Sequence, residues 1–394
     1  MSAREKMKAG KKKVHSAAAE EIKGMGRTVL GDLQRGDLGL HFKRDLHDLY
    51  HFYLDDESRA KLQRMGRVRR VFSIAWWLLK SLILRLTPTR RLMLIVSIWL
   101  ILQGDFYFSN DQYELSFPFS KFGYLVLLVI LMLELKDKLL ARDELAVGRA
   151  VQLALMPHES PDIPGWDCWL FTRPANDVGG DLVDFMPLAE GASGLALGDV
   201  SGKGLGAALL MAKLQATLRS YAGDVKGEGT IAEMGGRVNR LLCRDGLANR
   251  FATLLFLRVE PESGTVRLLN AGHMPPLVLA GSEIRVLPPV APLLGVLPAA
   301  AFVEQAVELA PGDLLVAYSD GLTEAMNRAE EFFGDERLLA LMPKLEGLTA
   351  KEAGKRLLAA ADAFIGDERP SDDLSLVILR RAIEDRCEPA VNGV

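Results

Sequence analysis

An α+β sandwich, preceded by a helical region that contains a two-helix membrane hairpin, is the fold class predicted by this 394-residue sequence. Three observations predict it. Two apolar runs, Leu92–Leu102 and Phe122–Leu133, carry no charge. From Trp166 onward the texture changes to short strands, turns and helices that are grouped rather than alternating, which favours α+β over a doubly wound parallel sheet. The composition, 49% hydrophobic and 25% charged, excludes a mainly disordered chain. A net charge of −3 lacks the basic excess of a nucleic-acid binder. Three cysteines with no CxxC pair argue against a disulfide scaffold or a thiolate metal site.

The first expected region, residues 1–88, is basic and helical. Lys11, Lys12 and Lys13 are followed by no apolar segment, so no secretory signal is read here. Residues 36–65 read as amphipathic helices. His47 and His51 stand at i,i+4 spacing, but without an HExxH pattern they read as surface or packing histidines. Between Lys61 and Arg91 every charged residue is Lys or Arg. Val71–Leu86, with Trp76 and Trp77 but broken by Lys80 and Arg85, suits a helix lying at a membrane surface.

Residues 89–134 hold the expected hairpin. Each strict run is short of the ~20 residues a span needs, but the flanking aromatics Phe106, Tyr107, Phe108, Phe117 and Phe119 extend each to about 17. Asp105, Asp111 and Glu114 between the runs, with the basic flank outside, predict both termini on the cytoplasmic side of the inner membrane. Residues 135–158 form a linker helix. Leu133, Leu140, Val147 and Ala154 repeat every seven residues, a heptad through which a second copy could pair as a homodimer. This linker reads either as a regulatory switch or as a passive tether. Pro157, Pro161 and Pro164 end it.

Residues 159–382 form the main domain, with 383–394 a tail. Leu195–Leu197 runs as a strand into Asp199, and Gly204–Ala222 is a helix with Leu210, Met211, Leu214 and Leu218 on one face. Ala252–Val259 and Thr265–Ala271 flank Pro261-Glu262-Ser263-Gly264 as a hairpin, and Leu277–Leu279 with Ile284–Leu287 make another. Leu314–Ser319 and Leu374–Leu379 are buried strands, and Thr349 with Glu352 is a capping box.

Four aspartates stand beside glycine or at strand ends: Gly179-Gly180-Asp181, Gly198-Asp199-Val200-Ser201-Gly202, Ser319-Asp320-Gly321, and Ser371-Asp372-Asp373-Leu374-Ser375. Carboxylates brought together repel one another unless cations bridge them, and oxygen-only ligation selects hard ions such as Mg²⁺ or Mn²⁺. Taken singly, an Asp-Gly after a strand is more often a turn. Gly198–Gly204 fails the Walker pattern, because Gly204 follows Lys203 where Ser or Thr is required.

Together and in this order, the motifs resemble the metal-dependent serine/threonine phosphatase superfamily (protein phosphatase 2C-like), in its bacterial SpoIIE-like branch. The resemblance runs from about Glu144 to Arg381. It includes Gln152 with Leu155-Met156-Pro157, Arg250-Phe251-Ala252-Thr253, Asn270-Ala271-Gly272-His273 and the final Asp-Asp-Leu-Ser. It implies two antiparallel sheets packed as a sandwich flanked by helices, and a site for two Mn²⁺ or Mg²⁺ ions. By the resemblance, Asp199 and Asp181 are the catalytic carboxylates. Asp199 bridges both ions, the Val200 carbonyl adds a ligand, Asp320 and Asp372 complete one shell, and Asp181 serves the second. Asp372 aligns with the ligand, with Asp373 the tandem alternative. Glu324 is either a carboxylate for a third ion or a helix-start carboxylate.

Two departures matter. The histidine of eukaryotic members is replaced by Ser201, and their phosphate-holding arginine by Asn176, which leaves the proton donor and phosphate clamp unassigned. Lys203 reads as a clamp or as a solvated loop lysine. The implied activity is a membrane-anchored phosphoserine/phosphothreonine phosphatase whose partner is a phosphorylated regulatory protein of the anti-sigma-factor-antagonist type. The alternative is a non-catalytic phosphatase-fold module that docks such a partner. A kinase reading lacks any phosphate loop.

Overall fold

The computed structural model describes residues 66–383 apart from 111–112, 158, 227–229 and 246–249. The basic tail, the helices expected over 36–65 with His47 and His51, the loop residue Asp111 and the tail beyond Ile383 lie outside the described residues. The chain divides into two units, Met1–Asp137 and Lys138–Val394.

In the first unit, α1 (Arg67–Arg85) precedes α2 (Pro88–Gln103), which opens with proline in its first turn and stops at Gly104. Strands β1 (Phe106–Asn110) and β2 (Tyr113–Phe117) pair antiparallel, and α3 (Phe119–Leu155) follows. The start of α3 lies against α2. A Cβ on Gly123 would fall 2.6 Å from Ile101 Cγ1 and 2.9 Å from the Ser97 carbonyl oxygen, so only glycine permits this approach. The Ser97 hydroxyl donates to the Gly123 carbonyl at 2.8 Å. Further along, Arg90 pairs with Glu134 at 2.8 Å and Asp137 at 2.6 Å.

The two-span hairpin is corrected here. Among the described residues no helix is long and apolar enough to cross a membrane. The aromatics expected to lengthen each span do not extend helices: Phe106, Tyr107 and Phe108 lie in β1 and Phe117 in β2. Helix α2, with 16 residues, rises about 24 Å. The apolar run of α3 is bounded by Lys121 and Glu134. Leu92, Ile95, Trp99 and Leu102 on α2, and Phe122, Leu125 and Met132 on α3, are exposed.

The second unit begins within α3 and contains two five-stranded antiparallel sheets. In chain order its elements are β3 (Trp166–Arg173), β4 (Leu182–Pro187), β5 (Ser193–Val200), α4 (Leu205–Tyr221), α5 (Thr230–Asp245), β6 (Ala252–Val259) and β7 (Thr265–Ala271). They continue with β8 (Leu277–Ala280), β9 (Glu283–Val286), β10 (Gln305–Glu308), β11 (Leu314–Tyr318), α6 (Asp320–Thr323), α7 (Gly334–Leu341), α8 (Ala350–Ile365) and β12 (Leu374–Arg381). One sheet has the order β10-β7-β6-β5-β4 and the other β3-β12-β11-β8-β9.

Strand alternation sorts side chains into three apolar layers. Leu195, Leu197, Leu255, Leu257, Leu315, Val377 and Leu379 fill the space between the sheets. Ala196, Leu254 and Phe256 face the opposite way, onto Leu210, Leu214 and Leu218 of α4 and Ile231 and Val238 of α5. Val316, Leu376 and Ile378 pack on Leu338 of α7 and Leu357 of α8. Each fully buried Leu or Ile contributes roughly 1.5–3 kcal/mol over its exposed state. The expected capping box is formed, with the Thr349 side chain accepting from the Glu352 amide and Glu352 accepting from the Thr349 amide.

Candidate active site

Topology alone carries the four aspartates to one end of the sandwich. Strands β4 and β5 are antiparallel neighbours with Leu182 opposite Gly198, so Asp181, just before β4, lies beside the end of β5 that bears Asp199. In the other sheet β11 and β12 are antiparallel with Tyr318 opposite Leu376. Asp320, just past β11, therefore meets Asp372 and Asp373, just before β12. Gly321 makes this close: its backbone lies directly against that of Asp373, in space that a Cβ would occupy.

The electrostatics record the convergence. Asp199 is pushed up to about 7, first by burial and then by the charges of Asp320, Asp372 and Asp373. Asp320 is pushed up to about 6 by burial, Asp372 and Glu324. Asp181, 2% exposed, is held well above the usual carboxylate range, chiefly by burial, although the Ser375 hydroxyl donates to it at 2.6 Å. The donors are all oxygen, as hard divalent cations require. Gly180 leaves a small cradle whose walls are the Val200 carbonyl oxygen and Asp199 Oδ1, 2.9 and 3.2 Å from where a Cβ would stand. In chemistry the donor set fits such cations. Its spacing is wider than a ligand shell: among the described residues, no three His, Cys, Asp or Glu side chains stand close enough to hold a metal ion. Mutual repulsion favours that wider spacing.

Asp372 and Asp373 divide cleanly. The Asp372 side chain is 41% exposed and faces Lys203 Nζ at 3.3 Å. Asp373 is buried, and its carboxylate accepts the amides of Ala175 at 2.8 Å and Gly180 at 2.6 Å. Both of its oxygens are thereby engaged by backbone on the β4 side, whereas Asp372, whose Oδ1 accepts the Asp373 amide at 2.9 Å, is the more exposed of the pair. Lys203 also donates to the Ser371 carbonyl at 3.2 Å, so it is tethered to the aspartate loop. Glu324 is not a helix-start carboxylate, since it follows the last residue of α6; its charge raises Asp320.

Several supporting residues are not apparent from spacing. The Asp199 amide donates to Thr253 Oγ1 at 3.1 Å, and Thr253 Oγ1 is 2.8 Å from His273 Nδ1. Burial holds His273 down to about 4, so it is neutral near pH 7. Ser319 Oγ donates to the Asp373 carbonyl and accepts the Ser375 amide, joining β11 to β12. Gln152, near the end of α3, clasps Gly179 from both sides: its amide nitrogen donates to the Gly179 carbonyl at 2.8 Å and its oxygen accepts the Gly179 amide at 3.0 Å. Thr253, His273 and Gln152 do lie within the quoted motifs, which is the one signal that pointed toward them.

Residues 189–382 match the family model described as Stage II sporulation protein E (SpoIIE). Over that stretch the chain is similar to the SpoIIE family. Protein IcfG of Synechocystis sp. is 29% identical over 273 residues, a match covering 62% of this chain and 42% of IcfG. Phosphoserine phosphatase RsbU of Bacillus subtilis is 26% identical over 247 residues, covering 61% of this chain and 71% of RsbU. The chain thus spans less than half the length of the first relative and most of the second. The SiaA-PP2C domain of Pseudomonas aeruginosa superposes with a TM-score of 0.53 at 17% identity, over 62% of this chain and 98% of that domain. That likeness shows a PP2C fold. The second unit has the two-sheet architecture expected of it, with Asp199 in β5 and Asp181 just before the neighbouring strand β4.

Proposed function

We propose that this chain is a divalent-metal-dependent phosphoserine/phosphothreonine protein phosphatase of the SpoIIE-like group. The single observation that carries the reading is the gathering of Asp181, Asp199, Asp320 and Asp372 at one end of the two sheets, where burial and then neighbouring carboxylates raise the proton affinities of Asp181, Asp199 and Asp320. Asp181, Asp199, the Val200 carbonyl, Asp320 and Asp372 would hold Mn²⁺ or Mg²⁺. Such ions neutralise a phosphate monoester and acidify a bound water at neutral pH. The protein's own part is placement. Thr253 fixes the backbone of Asp199, Ser375 orients Asp181, and Asp373 holds the Gly180 amide so that the loop keeps its shape. Asp199 and Asp320 must release protons before they serve as ligands.

RsbU is named a phosphoserine phosphatase, which supports phosphoserine as the bond class. The SpoIIE-like resemblance supports an anti-sigma-factor antagonist as the phosphorylated partner. Attachment of the first unit to the inner membrane, with the catalytic unit in the cytoplasm, belongs to the same proposal. It is supported by the basic stretch from Lys61 to Arg91 and by the exposed Leu92, Ile95, Trp99 and Phe122. The alternative is a non-catalytic module of the same fold that docks a phosphorylated partner.

The test is hydrolysis of p-nitrophenyl phosphate and of a phosphoserine protein by the full chain with Mn²⁺, Mg²⁺ or EDTA. Turnover that needs the ion supports the enzyme; none under any ion would leave the binding module. Fractionation of the full chain, with salt and detergent extraction compared, tests attachment, and recovery wholly in the salt-free supernatant overturns it.

A further inference from the structure

We propose that Arg250 is the substrate-phosphate-binding residue of this site, holding the phosphomonoester dianion where Asn176 stands in place of an arginine. The inference rests on the phosphatase reading above and deepens it. Arg250 lies just before β6, whose Ala252 pairs with Val200. Its backbone is registered on the loop that leaves Asp199: the Ser201 amide donates to the Phe251 carbonyl at 2.9 Å, and the Phe251 amide to Ser201 Oγ at 2.9 Å.

The side chain folds onto the same loop. Arg250 NH1 donates to the Ser201 carbonyl at 2.6 Å. The guanidinium lies over Gly202, in the space a Cβ would take, and its NH2 stands 3.4 Å from the Cβ position of Gly206. Gly202, at φ +99°, is in the left-handed region as well, so glycine there serves both the turn and the arginine. The cation is thus fixed two residues beyond Val200.

What it is fixed to is informative. Among the described residues its hydrogen-bond partner is a neutral carbonyl, and it forms no ion pair although the loop it rests on leads out of Asp199. Arg219, Arg258, Arg173 and Arg237 are each paired with a carboxylate. Lys203, the other cation of this loop, is paired with Asp372. A guanidinium carries five donors in a planar fork suited to phosphate, and here one is engaged by the Ser201 carbonyl. The remaining donors and the uncompensated charge suit a dianion arriving over the carboxylate-lined end of the sheets.

The test compares the full chain with Arg250→Lys, Arg250→Gln and Arg250→Ala. KM and kcat for p-nitrophenyl phosphate, the inhibition constant of inorganic phosphate, the Mn²⁺ concentration for half activation, and thermal unfolding are measured. Binding of inorganic phosphate is also titrated calorimetrically in Mg²⁺, without turnover. A lost charged hydrogen bond predicts weakening of phosphate on the order of tenfold to a hundredfold in Arg250→Ala and Arg250→Gln, with Arg250→Lys intermediate. KM rises with it, and half activation by Mn²⁺ moves less than about twofold, as expected when phosphate is held apart from the metal ligands. Unchanged phosphate affinity, or a KM change wholly matched by loss of Mn²⁺ affinity, overturns the proposal and makes Arg250 a loop brace. If the wild-type chain turns nothing over, the phosphatase reading fails by itself, and calorimetric binding lost only in the Arg250 variants still supports the phosphate site.

Discussion

Asp373 Oδ2 accepts the amide of Gly180 at 2.6 Å, and this bond ties the start of β12 in one sheet to the turn before β4 in the other. The two residues are 193 positions apart, and both are buried. The second oxygen of the same carboxylate takes the Ala175 amide. Asp373 is therefore a strut for the loop that presents Asp181.

The strut sets an expectation for the tandem aspartates. Asp373→Ala strands the amides of Ala175, Gly180 and Asp181, at about 1–3 kcal/mol for a donor left buried and unpaired. Its thermal midpoint should fall and its Mn²⁺ affinity should weaken, whereas Asp372→Ala should unfold normally while losing Mn²⁺-dependent turnover. Thermal melts and metal titrations of both variants check this. A stable Asp373→Ala protein with intact turnover would remove the strut.

Metal-free protein should grow less stable as pH rises. Asp199 and Asp320 have folded values near 7 and 6, above their ordinary range, so the folded state binds more protons than the unfolded state over that window. The stability they support is fully present below about pH 4 and is lost as pH rises through 6 to 7. Thermal midpoints in EDTA should fall across that interval. Asp199→Asn should flatten the fall and abolish ion-dependent turnover.

His273 acts in the opposite direction. Its value is held down to about 4 by burial, so the unfolded chain binds the proton more readily between pH 6.5 and 4. Its share of stability is present above about 6.5 and is lost as pH falls toward 4. His273→Gln should flatten that acid limb in denaturant melts recorded from pH 7 to 4.5. Unaltered pH dependence would show that His273 is not held neutral by its site.

Gln152 offers a test of the linker helix. Gln152→Ala would leave both backbone groups of Gly179 without their partner, one residue from Gly180 and two from Asp181. A regulatory helix predicts a several-fold rise in the Mn²⁺ needed for half activation, with kcat at saturating ion nearly kept. Insertions of one, two and three alanines after Leu145 should shift the same quantity, because each turns the downstream face by about 100°. A Mn²⁺ requirement indifferent to all four changes would make the helix a tether.

Much of the second unit was legible locally. The hairpins β6–β7 and β8–β9 follow from alternation and from turn residues, which act over a few positions. Helix α5 is less visible, because Gly235 and Gly236 interrupt its middle; Gly235 is there because a Cβ would press within 2.5 Å of Leu269. In the first unit, the aromatics that lengthen the apolar runs on paper pair instead as β1 and β2, since Gly104 at φ +67° ends α2 before they begin.

From the sequence alone came the expected class of chemistry, through four Asp-bearing turns in a fixed order and the family resemblance that they carry. Those turns are local, and a short motif contains the information that specifies each of them. Only the tertiary structure decided which aspartate of the tandem is buried, that Gln152 holds Gly179, and that Arg250 rests on the neutral Ser201 carbonyl. Each of these depends on register between strands or helices far apart in the chain. No periodicity along the backbone encodes that register; packing of the two sheets and their helices sets it.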